Sequence, residues 1–576
     1  MKTIDTDVLV IGAGPAGLTA AALLARHKVA TIAITKYNGT ANSPRAHITN
    51  QRTVEVFRDL GIEDKLVAVA MPQHLMGTQV YATSFAGREI CRMMAWGAGA
   101  DRHDDYQRAS PSSMCNAPQH LMEPLLLDVA KAYGADVRLR TELLKISQDE
   151  DHVHAVVREN ATGTEYRVRA RYAIGCDGGR SLVGEQLGFE YKGRADIGRS
   201  ISVWLEADLT RYTAHRSGAL FVVCLPGHES WLSVWPCVKP WTEWNPLFLQ
   251  HDYLPADASE KAVLELVRES IGDPNIEVKI KSISPWQINH IVAAEYRKGR
   301  VFIAGDAAHR HPPTNGLGSN TSIQDSYNLA WKLALVLQGK AGDGLLDTYN
   351  AERQPVGQQV VDRAIRSLDD MAPFAEALQV GPDQSPEEGW ASLDRLFSDT
   401  EEGAARRDAL LRSLDVQQGQ FNALGVELGQ RYQSRAIVSD GTPFPPCTRD
   451  PDLYYHPTTH PGGYLPHVWL ERDGQRVSTI DLAGKGSFSV ITGVGGGAWL
   501  TAATEVSREL GVPIRGYQVG LRQEYDDVLG EWTRIRHIGD HGCLLVRPDR
   551  FIAWRCPSGV SDPAGALRSA MRQVLH

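Results

Sequence analysis

The sequence predicts an α/β fold of several domains, and three observations predict it. The 576 residues exceed what one hydrophobic core usually holds, because domains commonly run to about 100–200 residues. The chain opens with an apolar strand over 7–11, a glycine-rich turn, a helical pattern over 18–26 and a second apolar run over 29–35, which together make one βαβ unit. Near residue 181 this α/β alternation gives way to β-rich runs, and a buried-strand pattern returns at 301–304.

The composition excludes several classes of function. Hydrophobic residues make up 43% and charged residues 22% of the chain, which is typical of a globular protein. The net charge of -9 argues against a nucleic-acid partner, since such proteins are usually basic. The eight cysteines include no C-x-x-C pair, so we expect reduced thiols and no metal site. No apolar run reaches the roughly 20 residues of a membrane helix, and we expect a cytoplasmic protein without a membrane partner.

The segments after the first 180 residues differ in texture. Residues 181–295 carry β-rich runs and six of the 13 tryptophans, which indicates a sheet that packs aromatic side chains. A long helical pattern covers 319–337. Residues 380–405 are polar and acidic with interspersed prolines, which predicts an exposed loop or linker. A proline-rich stretch at 443–446 leads into a separate α/β pattern that ends near residue 575.

The first motif with chemical content is Gly12-x-Gly14-x-x-Gly17, between the first strand and the first helix. The first glycine permits a tight turn, the second lets the backbone approach a pyrophosphate, and the third lets helix and strand pack closely. The helix N-terminus then presents free N–H groups to the phosphates. The carboxylate that usually ends the second strand is missing, and Thr35-Lys36 stands there instead.

Two further motifs follow strand patterns. One is Gly175-Cys176-Asp177-Gly178-Gly179-Arg180-Ser181. The other is the run from Arg300 through Asp306 to His309, continued by Pro312-Pro313-x-x-Gly316-Leu317-Gly318-x-Asn320. An aspartate at a strand end can bind cofactor hydroxyls, and the helix that starts near Gly318 would stabilise negative charge beside its first turn.

In this order the three motifs resemble the single-component FAD-dependent aromatic hydroxylases with the para-hydroxybenzoate hydroxylase fold. Further stretches are similar to the subgroup of 2,4-dichlorophenol 6-monooxygenase and 2-hydroxybiphenyl 3-monooxygenase. These stretches are Pro44–Thr53, Ser110-Pro111-Ser112 with Cys115-x-x-Pro118-Gln119, Asn328–Leu333, Leu545–Asp549 and Ala553-Trp554-Arg555. The similarity covers essentially the whole chain.

The resemblance implies a domain layout. It consists of a discontinuous Rossmann-like FAD-binding domain (1–180 and 296–375), an inserted β-rich substrate domain (181–295), a helical or linker segment (376–439), and a thioredoxin-like C-terminal domain (440–576) without the redox C-x-x-C pair. It also implies a homodimer and a visiting NADPH or NADH that has no domain of its own.

The resemblance further implies the roles of individual residues. The expected FAD contacts are Gly12, Gly14, Gly17, Lys36, Arg45, Gln119, Asp177, Asp306, Gly316, Leu317, Gly318 and Asn320. Asp177 and Lys239 are expected to serve NAD(P)H, although relatives tend to carry arginine at the position of Lys239. The Pro312 carbonyl and Trp96 are expected to contact the aromatic substrate.

The implied reaction makes its own demand on the residues. NAD(P)H reduces the flavin, O2 then gives a flavin C4a-hydroperoxide, and this electrophile needs an electron-rich ring. A phenol becomes electron-rich when it loses its proton, but its pKa lies near 10, as for tyrosine. A nearby base is therefore needed, and His47 in the Arg45-x-His47 pattern is the candidate. Without the resemblance, a structural histidine bonded to backbone would be the favoured interpretation.

One departure from the family pattern concerns this base. Related phenol hydroxylases carry aspartate where this chain has Asn116. Asparagine cannot take a proton, but it can orient a substrate hydroxyl. The expected function is hydroxylation of a phenolic or phenol-like ring, such as a hydroxypyridine, ortho to its hydroxyl.

Other functions on the same residues stay open. They are an FAD-dependent epoxidase, halogenase or reductase, or a non-catalytic flavin or dinucleotide sensor. The halogenase pattern W-x-W-x-I-P is not matched by Trp231-Leu232-Ser233-Val234-Trp235-Pro236. A sensor would not consume NAD(P)H faster when phenols are added.

Overall fold

The computed structural model describes residues 1–228, 230–250 and 259–576. Of the predicted β-rich segment 181–295, positions 229 and 251–258 lie outside these residues. Strand Thr3–Ile11 lies between two parallel neighbours, Thr31–Ile34 and Thr164–Gly175. Its last four residues are buried on both faces, as expected for an apolar strand in a parallel sheet.

This first sheet forms the core of the N-terminal α/β region. Its strand order is Arg297–Lys298, Val301–Ile303, Thr164–Gly175, Thr3–Ile11, Thr31–Ile34 and Asp136–Arg138, and strands Val153–Glu159 and Thr141–Gln148 extend it in antiparallel fashion from Thr164–Gly175. The helices within residues 1–200 are Pro15–Arg26, Gln51–Asp59, Glu63–Val69, Gln73–Met76, His103–Ala109, Gln119–Tyr133 and Leu182–Gln186. Two later helices, Gly318–Leu337 and Gly344–Asp369, also accompany this sheet. The predicted helix over 319–337 is confirmed.

A second, nine-stranded sheet carries the aromatic side chains. Its order is His309–Arg310, Lys279–Ala293, Tyr191–Glu206, Glu243–Trp244, Leu232–Lys239, Leu220–Cys224, Thr78–Ala82 and Glu89–Met94, with Leu247–Gln250 paired to Tyr191–Glu206 and Leu232–Lys239. Helices Thr210–Thr213 and Glu260–Ile271 accompany it. Trp235 and Trp244 are fully buried and meet Phe85 edge-on, with ring centroids 5.0 and 5.2 Å apart. Two strands of this sheet thus come from residues 78–94, well before position 181.

The expectation of an exposed loop over 380–405 is wrong. Helices Pro386–Leu396 and Glu401–Val416 occupy most of it. The first begins at Ser385, whose side chain and that of Glu388 form a reciprocal capping box, and Pro386 stands at the first helical position. The proline that suggested a break therefore starts a helix. Helices Ala372–Leu378, Gln418–Phe421 and Leu424–Leu428 complete this segment.

The C-terminal region forms its own sheet. Strands Ile514–Gln518, Phe488–Thr492, Cys543–Val546 and Ile552–Cys556 lie in this order, and the hairpin Trp469–Arg472 with Gln475–Ser478 stands apart. The helices are Gly497–Leu510, Glu531–Ile535 and Pro563–Leu575. The thioredoxin-like assignment and the domain boundaries stay predictions. Across the described residues, no helix is both long and apolar enough to span a bilayer.

A buried ionic network joins this region to the helices beside the first sheet. Arg547 donates to both oxygens of Glu352, at 2.6 and 2.8 Å, and Lys332 donates to Glu352 at 2.7 Å. Arg547 also bonds Asp549. Burial would raise the pKa of Glu352, but Arg547 and Lys332 outweigh it and hold this pKa below its ordinary value. The cations and carboxylates therefore depend on one another.

Replacing Arg547 by methionine tests this dependence. The variant keeps much of the side-chain bulk but leaves the buried Asp549 without its arginine and Glu352 with Lys332 as its remaining cation, so we expect the free energy of unfolding to fall by about 3–5 kcal/mol. Urea unfolding followed by tryptophan fluorescence measures it. The control is Arg169→Met, whose partner Asp5 is exposed, and its midpoint should stay that of the wild type. Equal midpoints for the two variants would contradict the network's role.

Candidate active site

The three sequence motifs meet at the carboxyl edge of the parallel sheet, where their backbones touch. Gly12 has a φ of +108°, and a Cβ on it would lie 2.0 Å from the Cys176 carbonyl oxygen. A Cβ on Gly17 would lie 1.9 Å from the Gly12 carbonyl oxygen. Only glycine fits at either position. The third motif joins through Ala304, whose N–H donates to the Gly175 carbonyl at 3.0 Å.

Two other glycines face open space instead. A Cβ on Gly14 would meet nothing closer than the Glu123 carboxylate, 3.8 Å away. A Cβ on Gly318 would meet nothing closer than the His311 ring, 3.7 Å away. Each glycine stands at the start of a helix without a side-chain cap among the described residues. The amides of both first turns are thus free to bind an anionic group.

Asp306 lies just past the end of strand Val301–Ile303 and faces the cleft between these helices. Its side chain is reached by solvent, although many protein atoms lie around it. Burial raises the pKa of Asp306, and the attraction of His309, Arg310 and Arg45 opposes this rise. The charge of Arg45 therefore acts on Asp306.

Arg45 and Gln119, both predicted to contact FAD, are in direct contact with each other. The Gln119 N–H donates to the Arg45 carbonyl at 2.8 Å. The Gln119 amide also donates to Glu123 at 2.5 Å, and the Ala41 N–H donates to the same carboxylate at 2.5 Å. Glu123 is 2% exposed and fixes this wall of the cleft. Sequence reasoning missed it, although it lies one helical turn after Gln119 and so on the same face.

Asp177 uses its carboxylate within the chain. It accepts hydrogen bonds from the Ser181 hydroxyl at 2.6 Å and the Val183 N–H at 3.1 Å. Burial raises the pKa of Asp177, and these bonds oppose the rise. It thereby orders the turn that supports Gly12, and the expected contacts with FAD and NAD(P)H stay predictions.

Asn320 connects the turn at Gly316 to the segment that carries His47. Its amide donates to the carbonyls of Ile48 at 2.9 Å and Gly316 at 2.6 Å, and its oxygen accepts from the Asn50 N–H at 3.0 Å. Gly316, at a φ of +64°, packs against Ile48, since a Cβ on it would lie 2.9 Å from the Ile48 Cβ. The Asn320 side chain is thus engaged with the protein, and only its backbone remains for a cofactor.

The Leu317 side chain is buried, whereas the two lysines that are predicted to bind cofactors are exposed. The Leu317 side chain is 3% exposed and packs in a core with Val356 and Val360, so only its backbone can line the cleft. Lys36 follows strand Thr31–Ile34 and is exposed, as is Lys239 at the end of its strand. Within the described part of the chain, neither ammonium group bonds another predicted site residue, and their roles stay predictions.

A small three-stranded sheet brings His47 and Asn116 together. Strand Cys115–Asn116 lies between Ile48–Thr49 and Met71–Pro72, all antiparallel. His47 immediately precedes the first of these, and its Nδ1 lies 3.2 Å from the Asn116 Oδ1. The 69 residues between the two positions hide this contact from local sequence patterns.

The surroundings of Asn116 fix which nitrogen of His47 carries the proton. The Asn116 Nδ2 donates to the Cys237 carbonyl at 2.6 Å, so its Oδ1 must face His47. His47 then donates from Nδ1–H, and Nε2 keeps its lone pair. Burial lowers the pKa of His47 to about 4 against the opposing effect of Asn116. At neutral pH His47 is an uncharged base with Nε2 free to take a proton.

The Pro312 carbonyl has a partner that the sequence analysis missed. His311 Nδ1 lies 2.6 Å from this oxygen and donates to it. Burial lowers the pKa of His311 to about 4, so the ring is neutral. Its Nε2 is buried and has no hydrogen-bond partner among the described residues. His311 stands within the third motif, between His309 and Pro312, and this position was the available signal.

Trp96 packs against the segment that contains Phe421. It is 4% exposed, and its ring meets Phe421 edge-on at 5.7 Å. The backbone N–H of Trp96 donates to the Phe421 carbonyl at 2.9 Å, and the backbone carbonyl of Trp96 accepts from the Gln73 amide at 2.7 Å. Contact with a substrate stays a prediction, but the partner segment around Phe421 could not be inferred from local sequence.

Comparison with known proteins assigns the family. Residues 5–364 match a family described as FAD binding domain, and residues 458–576 match one described as aromatic-ring hydroxylase, C-terminal. The chain is 46% identical to 2,4-dichlorophenol 6-monooxygenase of Delftia acidovorans over 99% of this chain and 98% of that protein. It is 43% identical to phenol 2-monooxygenase of Pseudomonas sp. (strain EST1001) over 98% of this chain and 92% of that protein.

A solved structure agrees over the full length. That of the flavin-dependent monooxygenase PieE in complex with FAD and substrate superposes with a TM-score of 0.97 at 46% identity and covers 100% of both chains. The fold and the cleft thus define a flavoprotein monooxygenase. The chain belongs to the FAD-dependent aromatic-ring hydroxylases.

The residues present fit FAD. Gly14 and Gly318 leave backbone amides open at two helix starts, and Asp306 lies exposed between them at a strand end. An anionic pyrophosphate, the hydroxyls of the ribityl chain and an isoalloxazine that gains negative charge on reduction need these three kinds of partner.

Substitution at Gly14 tests this fit. Gly14 has a φ of −84° and open space for a Cβ, so Gly14→Ala should fold with wild-type thermal stability as apoprotein. Its methyl group would meet the pyrophosphate, and FAD affinity, measured by quenching of flavin fluorescence, should fall at least about 10-fold. Gly381→Ala, another glycine with open space, is the control and should bind normally. Unchanged affinity in Gly14→Ala would contradict the pyrophosphate assignment.

Proposed function

We propose that this enzyme hydroxylates a phenol or a phenol-like ring such as a hydroxypyridine, ortho to the hydroxyl, with NADPH or NADH and O2 as co-substrates. The observation that carries the proposal is the neutral His47, held by Asn116 with its Nε2 free. Relatives named for phenol and for 2,4-dichlorophenol support a phenolic substrate. The homodimer that the resemblance implies, and the cytoplasmic location expected from the scattered cysteines, stay part of the proposal.

Different residues of the chain bind different parts of FAD. When bound, FAD accepts electrons from the nicotinamide and activates O2 so that one oxygen atom reaches the ring. The turns at Gly12, Gly14 and Gly17 hold the pyrophosphate, Arg45 and Gln119 flank it, and Asp306 binds the ribityl hydroxyls. The backbone at Gly316, Leu317 and Gly318 lies against the isoalloxazine.

The proton is the part of the reaction that this chain controls. A free phenol has a pKa near 10, whereas that of His47 is about 4. Full transfer before the reaction would be unfavourable, because the pKa of His47 lies well below that of the phenol. His47 therefore takes the proton as the ring attacks, when the ring loses electron density and its hydroxyl becomes far more acidic. The Asn116 oxygen accepts the Nδ1–H and stabilises the imidazolium that forms.

The asparagine at 116 suits this arrangement because of the Cys237 carbonyl. An ionised aspartate there would place an oxygen against that carbonyl oxygen, where Asn116 has a donor at 2.6 Å. A neutral amide satisfies both neighbours at once, the carbonyl as donor and His47 as acceptor. The base is thus oriented by an amide and not by a charge.

A screen of substrates tests the proposed function. The purified yellow protein is mixed with NADPH or NADH and a panel of phenols and pyridinols, and nicotinamide oxidation is followed together with product mass. At least one member should accelerate oxidation and yield a product heavier by one oxygen atom. Acceleration by none of them, or acceleration without an oxygenated product, would refute the proposal.

The variant His47→Ala tests the base. It should fold, bind FAD and be reduced by NAD(P)H like the wild type, whereas hydroxylation at neutral pH should fall by about 10²–10⁴-fold. Part of the reducing power should then appear as hydrogen peroxide. Raising the pH toward the pKa of the phenol should restore much of the rate, because solvent then supplies the phenolate.

The matched control is His154→Ala, an exposed histidine on strand Val153–Glu159. It should hydroxylate at the wild-type rate. Wild-type hydroxylation by His47→Ala at neutral pH would return His47 to a structural role.

A further inference from the structure

The segment over 417–422 is connected to His47 and Asn116 by a series of contacts. Asn116 pairs with Met71 in the small sheet, and Gln73, two residues further, donates to the Trp96 carbonyl at 2.7 Å. Trp96 in turn donates to the Phe421 carbonyl at 2.9 Å. A continuous series of contacts therefore links His47 and Asn116 to Phe421.

A second set of contacts links the segment over 417–422 back to His47, through the turn that contains Asn315 and Gly316. Asn315 donates its amide to the Gly419 carbonyl at 2.7 Å and to the Gln420 carbonyl at 3.2 Å. Its neighbour Gly316 packs against Ile48, which follows His47. These contacts form a closed ring, with His47 on one side and Asn315 and Gln420, here called the far wall, on the other.

Two acceptors in this far wall have no donor in the described chain. The Oδ1 of Asn315 and the Oε1 of Gln420 are both buried without a hydrogen-bond partner. The Asn315 side chain is 7% exposed, and its orientation is fixed because its Nδ2 lies between two carbonyl oxygens. A buried acceptor without a partner is costly, and such groups in native proteins usually meet water or a ligand.

We propose that Asn315 and Gln420 form a second polar anchor for the substrate, which binds an O–H or N–H donor on the ring away from the hydroxyl that faces His47. The inference rests on the proposed function and narrows it: the substrate is a phenol or pyridinol with a second hydrogen-bond donor. Both free groups are acceptors, so a ring that carries only acceptors or halogens there leaves them unpaired.

Phe421 and Trp96 complete the selectivity of this wall. Their edge-on rings, 5.7 Å apart, offer an apolar surface next to the two acceptors. A planar ring can lie against them while its second donor points between the Asn315 and Gln420 oxygens and bonds both.

The test compares matched ligands on the oxidised holoenzyme without NAD(P)H. The pairs are 3-hydroxyphenol against 3-methoxyphenol and 4-hydroxyphenol against 4-methoxyphenol, with dissociation constants taken from the change in flavin absorbance. In the wild type at least one hydroxy compound should bind on the order of 10- to 100-fold more tightly than its methoxy partner, because only it satisfies the buried acceptors. In Gln420→Met this preference should shrink to within about 3-fold.

The control variant is Gln417→Met. Gln417 belongs to the same segment, but its Oε1 already accepts from the Tyr81 hydroxyl at 2.5 Å, so the preference should remain. A wild type without preference in either pair, or a preference that survives in Gln420→Met, would overturn the anchor. The wild-type comparison decides alone if Gln420→Met does not fold.

Failure of the anchor is distinct from failure of the proposed function. In the first case phenols still stimulate NAD(P)H oxidation and yield oxygenated product, without regard to a second donor. In the second case no phenol does so.

Discussion

The close approach of bare backbone at Gly12 is the constraint on which the rest of the site depends. The turn after the first strand rests on the Cys176 carbonyl, and the first helix rests on the Gly12 carbonyl through Gly17. No side chain fits between them, so the helix start, the Asp177 turn and the strand that ends before Asp306 meet at one edge of the sheet. Helix amides and a carboxylate then face one cleft, which is what a long, anionic and hydroxylated cofactor requires.

A second constraint couples this cleft to the chemistry of the substrate. Asn320 holds the Gly316 turn and the Ile48 backbone together, so His47 is positioned by the start of helix Gly318–Leu337. On its other side, Asn116 is held by a carbonyl of the aromatic sheet. The proposed base is therefore held by both elements, and its proton position is set by hydrogen bonds rather than by a charged partner.

The sequence predicted what is local. The strand–turn–helix around Gly12 and the helix over 319–337 follow from patterns whose spacing has a direct structural meaning. The roles of Asn116 and Asn315 could not be predicted in this way, because their partners are the carbonyls of Cys237 and Gly419, more than 100 residues away. A carbonyl is offered by every residue, so no residue type marks these contacts. The helix at Pro386 was missed because a proline that starts a helix and one that breaks a chain look alike until the cap at Ser385 is considered.

The pH dependence of hydroxylation by the wild type, for a series of phenols of different acidity, tests the central claim that neutral His47 takes the proton. His47 acts in its uncharged form, and its pKa is lowered to about 4, so activity should be present above that pH and be lost as the pH falls through it. The account predicts one acid limb, well below the ordinary histidine pKa of about 6.5, at the same pH for every phenol. A rate that rises with pH through each phenol's own pKa would contradict it, because solvent and not His47 would then remove the proton.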